Sequence, residues 1–409
     1  MAITKIEVPE LFDFGSDNSA FKLPTGTTAE RPTSPSNGEM RFNTTTGFVE
    51  YYDTTNAKWW EIDYEGVVPS DNFNTVLYTG NGGTQAISTV GFKPDFVWIK
   101  NIENTLGNSH FLADSVRGGQ QRLSSNTAAP ESNLIPYGDG VMSFDSNGFT
   151  VADDPNGDNG INGQVGGTYG SSYVAWSWKA GGTAVSNTDG TISSDVSANV
   201  AAGFSIISYT GNGVSGATVG HGLESTPELT FIKCLNQNNT YWFVPVPDIV
   251  TGKYLFLNTS SAGGTGGFAY DANNITLNNT FSDANANNNT YITYAWHSVA
   301  GYSSIGKYTG NGNSTGPIVD TGFTPRFVMI KATTNDNGGG SWLIYDSARS
   351  PSNPRNKRLY PDLGSAEQSS SSYNLDFLTG ATKGFQPKDG ANYYGYNTLN
   401  VEYIYMAFA

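Results

Sequence analysis

The pentapeptide Tyr-Thr-Gly-Asn-Gly stands at residues 78–82 and recurs at 209–213 and 308–312. A hydrophobic run follows each copy, and every run opens with a proline and closes with a lysine at the same spacing. The runs span residues 94–100, 227–233 and 325–331. Because one spacing is preserved three times, we interpret the chain as carrying three copies of one structural unit.

An alternating aromatic strand closes each unit. In the first unit Val174, Trp176 and Trp178 share one face, and tyrosine and small residues share the other. The same alternation recurs at residues 291–296 and 403–408. A period of two is typical of a β-strand with a buried face. Units of about 100 residues, built of short strands between glycine- and asparagine-rich turns, predict an all-β fold of tandem β-sandwiches of the jelly-roll or lectin-like kind.

The sequence divides into five segments. Residues 1–20 are irregular, and residues 21–66 carry two strand signals on either side of Gly47, which predicts a small β-hairpin module for attachment. The three sandwiches are expected at residues 74–180, 203–301 and 305–409, here called repeat 1, repeat 2 and repeat 3.

Composition excludes several classes of function. Lys and Arg total 21 against 36 Asp and Glu, a net charge of −15, which repels phosphate backbones and predicts no binding to nucleic acid. No apolar run approaches the roughly 20 residues that cross a bilayer, so no membrane insertion is expected. The residues after Met1 lack the apolar core of a signal peptide, and the single cysteine, Cys234, excludes internal disulfides.

Catalytic patterns find no support in the sequence. His110, His221 and His297 lie outside known catalytic motifs, and no pair of acids can be assigned across a glycosidic bond, so we expect no enzyme. An Asp-x-x-Arg pattern occurs at residues 114–117 and 346–349 and is replaced in repeat 2. We interpret it as a structural ion pair or a turn lock.

An acidic loop in repeat 1 raises the question of calcium. Asp154, Asn156 and Asp158 have the spacing that opens an EF-hand loop. The sixth position, however, is Asn159 instead of glycine, and the twelfth is Val165 instead of glutamate. A solvated turn is the favoured interpretation, an irregular calcium loop stays open, and no metal or cofactor is predicted.

Polar loops precede the closing strand of each unit and differ between the units. Variable loops on a repeated scaffold are where recognition usually lies, and tyrosine with asparagine suits adaptable contacts with sugars. The predicted glycan-contacting residues are Asn392, Tyr393, Tyr394, Tyr396 and Asn397, with Asp154, Asn156 and Asp158 in second place. Alternatively, these tyrosines pack on the neighbouring sheet.

Two parts of the chain resemble known families. Residues 24–32 read Pro-Thr-Gly-Thr-Thr-Ala-Glu-Arg-Pro and precede a hairpin that ends at Trp59-Trp60, which resembles a short module of bacteriophage tail-fibre and other virion appendage proteins. Residues 74–409 resemble an uncharacterised domain of marine and cyanobacterial phage structural proteins. Its Gly-Phe-x-Pro-Asp-Phe-Val-Trp-Ile-Lys, Asp-Ser-x-Arg-Gly and Tyr-Val-Ala-Trp motifs stand at residues 91–100, 114–118 and 173–176.

The resemblance implies a virion protein that is made in the host cytoplasm and released by lysis. We expect a tail-fibre or spike subunit, assembled as a homotrimer and joined to other virion proteins through its N-terminal region, including an anchor at residues 1–20. It would recognise a host-surface glycan without chemistry. The alternatives are a head fibre, capsid decoration or tail-adaptor protein without a receptor, and, third, a glycan depolymerase.

Overall fold

The computed structural model divides the chain into two compact units, residues 1–65 and 66–409. The residues that it describes are 23–46, 48–62, 67–103, 108–137, 139–152, 161–163, 171–277, 282–334, 340–369, 373–388 and 396–409. The predicted anchor at residues 1–20 lies outside them.

The N-terminal unit is one four-stranded sheet, which contains the predicted hairpin as its two central strands. In sheet order its strands are β1 (Thr25–Gly26), β2 (Met40–Asn43), β3 (Phe48–Asp53) and β4 (Lys58–Ile62). Glu50 on β3 is completely buried and accepts from Arg31 at 2.5 Å, while Arg41 lies 3.5 Å away. The bond from Arg31 lowers the pKa of Glu50, so the carboxylate stays charged at the centre of the module.

Short strands also make up the second unit. Repeat 1 contains β5 (Phe73–Thr79), β6 (Gln85–Ile87), β7 (Phe96–Asn101), β8 (Phe111–Asp114), β9 (Gln121–Arg122), β10 (Ser132–Asn133), β11 (Val141–Asp145), β12 (Gly148–Val151) and β13 (Ser172–Trp178). Next come β14 (Val185–Asn187), β15 (Ser194–Asn199), β16 (Phe204–Thr210), β17 (Ala217–Gly220), β18 (Leu229–Cys234), β19 (Trp242–Pro245), β20 (Lys253–Phe256), β21 (Gly264–Thr265), β22 (Phe268–Tyr270), β23 (Asn274–Leu277), the single-turn helix α1 (Ser282–Asn285) and β24 (Thr290–Trp296). Repeat 3 contains β25 (Ser303–Thr309), β26 (Val319–Asp320), β27 (Phe327–Ala332), β28 (Leu343–Asp346), β29 (Lys357–Arg358), β30 (Gln368–Ser369), β31 (Asn374–Thr379), β32 (Lys383–Lys388) and β33 (Glu402–Phe408). Three short 3-10 turns lie at Thr28–Glu30, Pro69–Asp71 and Ile135–Tyr137.

Each repeat is a sandwich of a large and a small sheet, which confirms the predicted all-β fold. The large sheets have the order β5-β13-β7-β8, β16-β24-β18-β19 and β25-β33-β27-β28, and the small sheets have the order β11-β12-β6, β17-β23-β22 and β26-β32-β31. In repeat 2 the large sheet grows to eight strands, because β14 and β15 extend one edge and β20 and β21 the other. The strand register is preserved as well, since the closing strand pairs Tyr173 with Tyr78 and its equivalents pair in the same way.

Both faces of each large sheet are buried, not one. The tyrosine face packs inside its own sandwich, where the rings of Tyr78 and Tyr173 stack at 5.0 Å. The opposite face meets the other repeats in one central core that draws residues from all three. There Phe73 stacks on Phe408 of repeat 3 at 4.9 Å, and Phe96 stacks on Tyr294 of repeat 2 at 4.3 Å. The three sandwiches therefore form one unit around a shared aromatic core.

Candidate functional site

The Tyr-Thr-Gly-Asn-Gly turns are locked by a buried asparagine in every repeat. In repeat 3 the side chain of Asn397 accepts from the Asn311 amide at 3.0 Å and donates to the Asn313 carbonyl at 2.8 Å. The equivalent asparagines of repeats 1 and 2 make the same pair of bonds, and the three completely buried residues are Asn162, Asn285 and Asn397. The turn motif is thus a scaffold element that holds the chain just before each closing strand.

Two of the predicted glycan-contacting residues belong to this scaffold. Tyr396 is completely buried, its hydroxyl donates to the Lys388 carbonyl at 2.7 Å, and its own carbonyl accepts from Tyr308. Asn397 is equally buried in its turn lock. Because neither side chain is presented to a ligand, the expectation that Tyr396 and Asn397 contact a receptor is corrected: both are framework residues. For Tyr396 the alternative of packing within the sandwich holds.

The other predicted contact residues fall outside the described residues. They are Asn392, Tyr393, Tyr394, Asp154, Asn156 and Asp158. The described residues that flank these two loops, Asn162 and Tyr396, hold the framework positions given above.

A cyclic set of hydrogen bonds closes the ring of repeats. Each large sheet sends one ring nitrogen to a backbone carbonyl of its neighbour, and the carbonyls lie at equivalent positions. The pairs are His110 with Tyr360 at 3.0 Å, Trp242 with Ser124 at 3.0 Å, and Trp342 with Phe256 at 2.8 Å. Repeat 1 thus contacts repeat 3, repeat 2 contacts repeat 1, and repeat 3 contacts repeat 2.

The tautomer of His110 follows from its two partners. Its Nδ1 accepts from the Trp98 indole at 2.8 Å, so Nε2 carries the proton and donates to Tyr360. Burial lowers the pKa of His110 well below its ordinary value, which keeps the ring neutral. His221 is also buried, and its Nδ1 accepts from the Leu223 amide. Both histidines are therefore occupied in holding the fold.

Two of the three lysines that close the repeated Pro-to-Lys runs hold the same interfaces, while Lys233 donates to Thr240 of its own repeat. The ammonium of Lys100 donates to the carbonyl of Gly364 in repeat 3 at 3.0 Å, and Lys331 donates to Ser260 in repeat 2 at 2.9 Å. Burial lowers the pKa of each of these two lysines to about 8. In repeats 1 and 3 the motif lysine is thus a buried tie between repeats.

The Asp-x-x-Arg pattern is confirmed as a structural ion pair, and it also joins neighbouring repeats. Arg117 lies 2.6 Å from Asp114, whose carboxylate accepts from the Tyr294 hydroxyl of repeat 2 at 2.7 Å. In repeat 3 Arg349 lies 2.5 Å from Asp346, which accepts from the Trp176 indole of repeat 1 at 3.2 Å.

The third interface lacks both halves of this contact. Repeat 2 has Val246 at the position of the aspartate, and repeat 3 has Met406 at the position of Tyr294 and Trp176. Both residues lie in the central core. The acceptor and its donor are therefore missing together, which explains why the pattern is absent from repeat 2.

A polar groove lies where repeat 1 meets the extended edge of the repeat 2 sheet. It consists of three adjoining cavities of about 570, 590 and 410 Å³. Lys93, Asp95 and Gly182 belong to the first two cavities, and Asp195 and Ser208 to the second and third. The shared residues place the three cavities next to one another along strands β15 and β16.

The wall of the groove is rich in hydroxyl groups. Serines and threonines line most of the third cavity, and Ser115, Thr183 and Ser208 line the second, with the half-buried ring of Phe144 at one side. Of its two carboxylates, Asp95 is committed to the Ser115 hydroxyl at 2.8 Å and the Ala180 amide at 2.9 Å. Asp195 is exposed. The groove can therefore offer many hydrogen bonds to a polar polymer, with one carboxylate left unoccupied by these framework bonds.

Sequence reasoning missed this groove because strands β14 and β15 lie between the predicted repeats 1 and 2. The sequence does carry a strand signal there. Along residues 194–198, Ser194, Val196 and Ala198 fall on one face of a β-strand, and Asp195 and Ser197 fall on the other. Among the described residues no group of three or more His, Cys, Asp or Glu side chains could hold a metal ion. The described helices also include none that is long and apolar enough to span a membrane.

The protein is thus built of three β-sandwich repeats that belong to one chain and pack around a common core, with a polar groove where repeats 1 and 2 meet. The chain belongs to the family described as Domain of unknown function (DUF7483), whose model matches residues 68–409. No match is found among curated proteins or among solved structures.

Proposed function

We propose that the protein is a non-catalytic recognition subunit of a bacteriophage virion, a tail fibre or spike that binds a host-surface glycan. The observation that carries the proposal is the groove of adjoining cavities on strands β15 and β16, whose serine and threonine residues suit a polymer of hydroxyl groups. The virion setting rests on the sequence resemblance. Binding by many weak polar contacts fits a particle that displays several copies.

The proposal of binding without chemistry rests on the acids of the groove. Glycoside hydrolysis needs two carboxyl groups across the bond that is cleaved. Asp95 is the other acid that lines the same cavity as Asp195, and it already accepts a hydroxyl and a backbone amide, so it serves the framework.

Homotrimer assembly stays part of the proposal, with one constraint from the fold. The apolar faces of the large sheets are already buried within one chain. Three chains would therefore associate through other surfaces, and the N-terminal unit is our proposed attachment to the particle and its other proteins.

A groove-blocking variant tests the proposal. Ser208 is half-buried and belongs to two of the cavities, so Ser208→Tyr places a ring in the groove. Ile318→Tyr adds the same ring at a position that is 57% exposed and outside the groove, and serves as the control. On an array of bacterial surface glycans, the full-length protein and the control should give the same signals, and Ser208→Tyr should lose most of them.

Three other outcomes would contradict the proposal, and each would favour a different site or function. Equal signals from both variants would remove the groove from the site and return the assignment to the loops that contain Tyr393 and Asp154. The absence of any signal, with the protein folded, would favour a head-fibre, decoration or adaptor protein. Release of reducing ends from the glycans would favour a depolymerase.

A further inference from the structure

Repeat 3 contains a cavity whose charge is opposite to that of the whole protein. It has a volume of about 580 Å³, and Arg326, Arg355 and Lys383 line it together with the hydroxyl groups of Ser70 and Ser347. No side-chain carboxylate belongs to its lining, although the chain carries a net charge of −15.

The three cations are not neutralised by close carboxylates. Within the described part of the chain, no carboxylate lies at ion-pairing distance from Arg326, Arg355 or Lys383. Asp346 and Asp376 act on Arg355 only through longer-range attraction. Ala409 also borders the cavity. Positive charge thus accumulates in a concave site.

Arg355 is built into the wall and keeps one donor unused. Its side chain is 8% exposed, donates to the Ser350 carbonyl, and lies over the ring of Phe377 at 4.9 Å. The backbone of Arg355 is paired in both directions with Leu375. Its Nε–H is buried and has no partner among the described residues. A buried N–H without an acceptor is costly, so the wall of the cavity is not fully satisfied by the described residues around it.

The other two repeats carry an acid where repeat 3 carries Arg326. Asp95 accepts from the Ala180 amide, and Glu228 accepts from the Ser298 amide at 2.6 Å. In those repeats the acid fastens the segment that follows the closing strand. In repeat 3 the same position is an exposed arginine that faces the cavity. The charge reversal is therefore specific to repeat 3.

We propose that this cavity binds an oxyanion, a carboxylate or phosphate group, that belongs to an acidic glycan. Guanidinium groups pair with both kinds of group through two parallel hydrogen bonds, and the neighbouring serine hydroxyls add donors. The choice of a glycan as carrier rests on the proposed function, whereas the anion site itself rests on three cations without close carboxylates and on the serines that line the same cavity.

Titration calorimetry on the full chain tests this site. The probes are inorganic phosphate, trigalacturonate and its methyl ester, which has the same size without the charge. We expect the two anions to bind and the ester to bind at least tenfold more weakly. Arg326→Gln with Lys383→Gln removes two exposed cations and should weaken both anions at least tenfold.

A charge-matched variant supplies the control. Lys307→Gln with Lys357→Gln removes two lysines of repeat 3 outside the cavity, which are 48% and 41% exposed. It should bind the anions as the unmodified protein does. Equal losses of anion affinity in both double variants, or no anion binding at millimolar concentration, would overturn the proposal that the cavity binds an anion. Binding of phosphate without trigalacturonate would overturn the glycan carrier. Neither failure touches the array result for Ser208→Tyr, so the two proposals are separable.

Discussion

Replacing a turn-locking asparagine separates a framework role from a ligand-binding role. The sequence pattern favoured Asn397 as a receptor contact, whereas the structure buries it in the same lock as Asn285 of repeat 2. Asn397→Ala removes three hydrogen bonds: one from the Asn311 amide at 3.0 Å, one to the Asn311 side chain at 3.2 Å and one to the Asn313 carbonyl at 2.8 Å.

The magnitude follows from these three bonds. Each contributes about 0.5–1.5 kcal/mol net, so the expected loss in the free energy of unfolding is about 1.5–4.5 kcal/mol. For a unit of this size, an unfolding entropy of about 2.1 cal/mol/K per residue converts this loss into a fall in melting temperature of roughly 2–6 °C. Differential scanning calorimetry of the full chain measures the shift. Asn285→Ala should give the same fall, since its lock has the same bonds.

Leu399→Ala is the control, because Leu399 lies two residues away and is 62% exposed. It should change the melting temperature by less than about 1 °C. A melting temperature of Asn397→Ala equal to that of the unmodified protein, beside a clear fall for Asn285→Ala, would refute the framework role and restore Asn397 as a candidate contact.

Two further predictions concern the interfaces between repeats. Tyr294→Phe removes the hydroxyl that donates to Asp114 at 2.7 Å and accepts from Arg117 at 3.1 Å, which should cost about 1.5–3 kcal/mol in unfolding experiments. Tyr302→Phe is its matched control, since the buried Tyr302 hydroxyl has no partner among the described residues and its removal should be neutral or stabilising; equal losses would contradict the argument. The second prediction is that stability rises between pH 8 and 9, by about 1 kcal/mol for each of Lys100 and Lys331. Their folded-state pKa of about 8 lies below the unfolded value of 10.5, so in this window the unfolded chain binds more protons and stability increases with pH. Closer to pH 10 buried tyrosines such as Tyr209 and Tyr294 act in the opposite direction, because burial raises their pKa above that of the unfolded chain. Melting temperatures from pH 7 to 9 test it, Lys331→Met should roughly halve the slope, and a slope unchanged in that variant would contradict it.

Sequence patterns predicted what depends on local periodicity. The β alternation of Tyr173, Val174 and Trp176 fixes a strand, and its threefold recurrence fixes the repeat. The same alternation does not show which part of the protein packs against each face of the strand. Trp176 and Tyr173 are both fully buried, one against other repeats and one inside its own sandwich.

Site residues were harder to predict because the amino-acid composition of a loop does not show whether its side chains are buried. The Tyr-Asn pair at 396–397 has the composition of a binding loop, yet the Asn397 side chain accepts from the backbone of a turn more than eighty residues earlier, and the Tyr396 hydroxyl donates to the Lys388 carbonyl. Only the long-range pairing shows this. The groove on β15 and the cationic cavity likewise arise from residues that are far apart in the sequence, such as Arg326 and Lys383.

The three interfaces of the ring also predict how a single repeat behaves alone. In the intact chain Asp346 of repeat 3 accepts from Trp176 of repeat 1, and Asp114 occupies the equivalent position in repeat 1. Repeat 1 therefore carries both the acceptor and a suitable donor, and three copies of it could reproduce this contact around one axis. Repeat 3 carries Asp346 but has Met406 in place of the donor, so its copies would leave three carboxylates without that partner.

We therefore expect residues 67–180, expressed alone, to form a trimer, and residues 302–409 to form none that is stable. An isolated repeat exposes its share of the central core, including Trp98, Trp176 and Trp178, and burial of such rings is a strong drive to associate. Light scattering coupled to size exclusion measures the mass of each fragment, and Trp176→Ala, which removes both the indole donor and a ring of the core, should dissociate the repeat 1 trimer. A monomeric, folded repeat 1, or equally stable trimers of both fragments, would show that the polar contacts do not select the partner and that apolar burial alone holds the ring together.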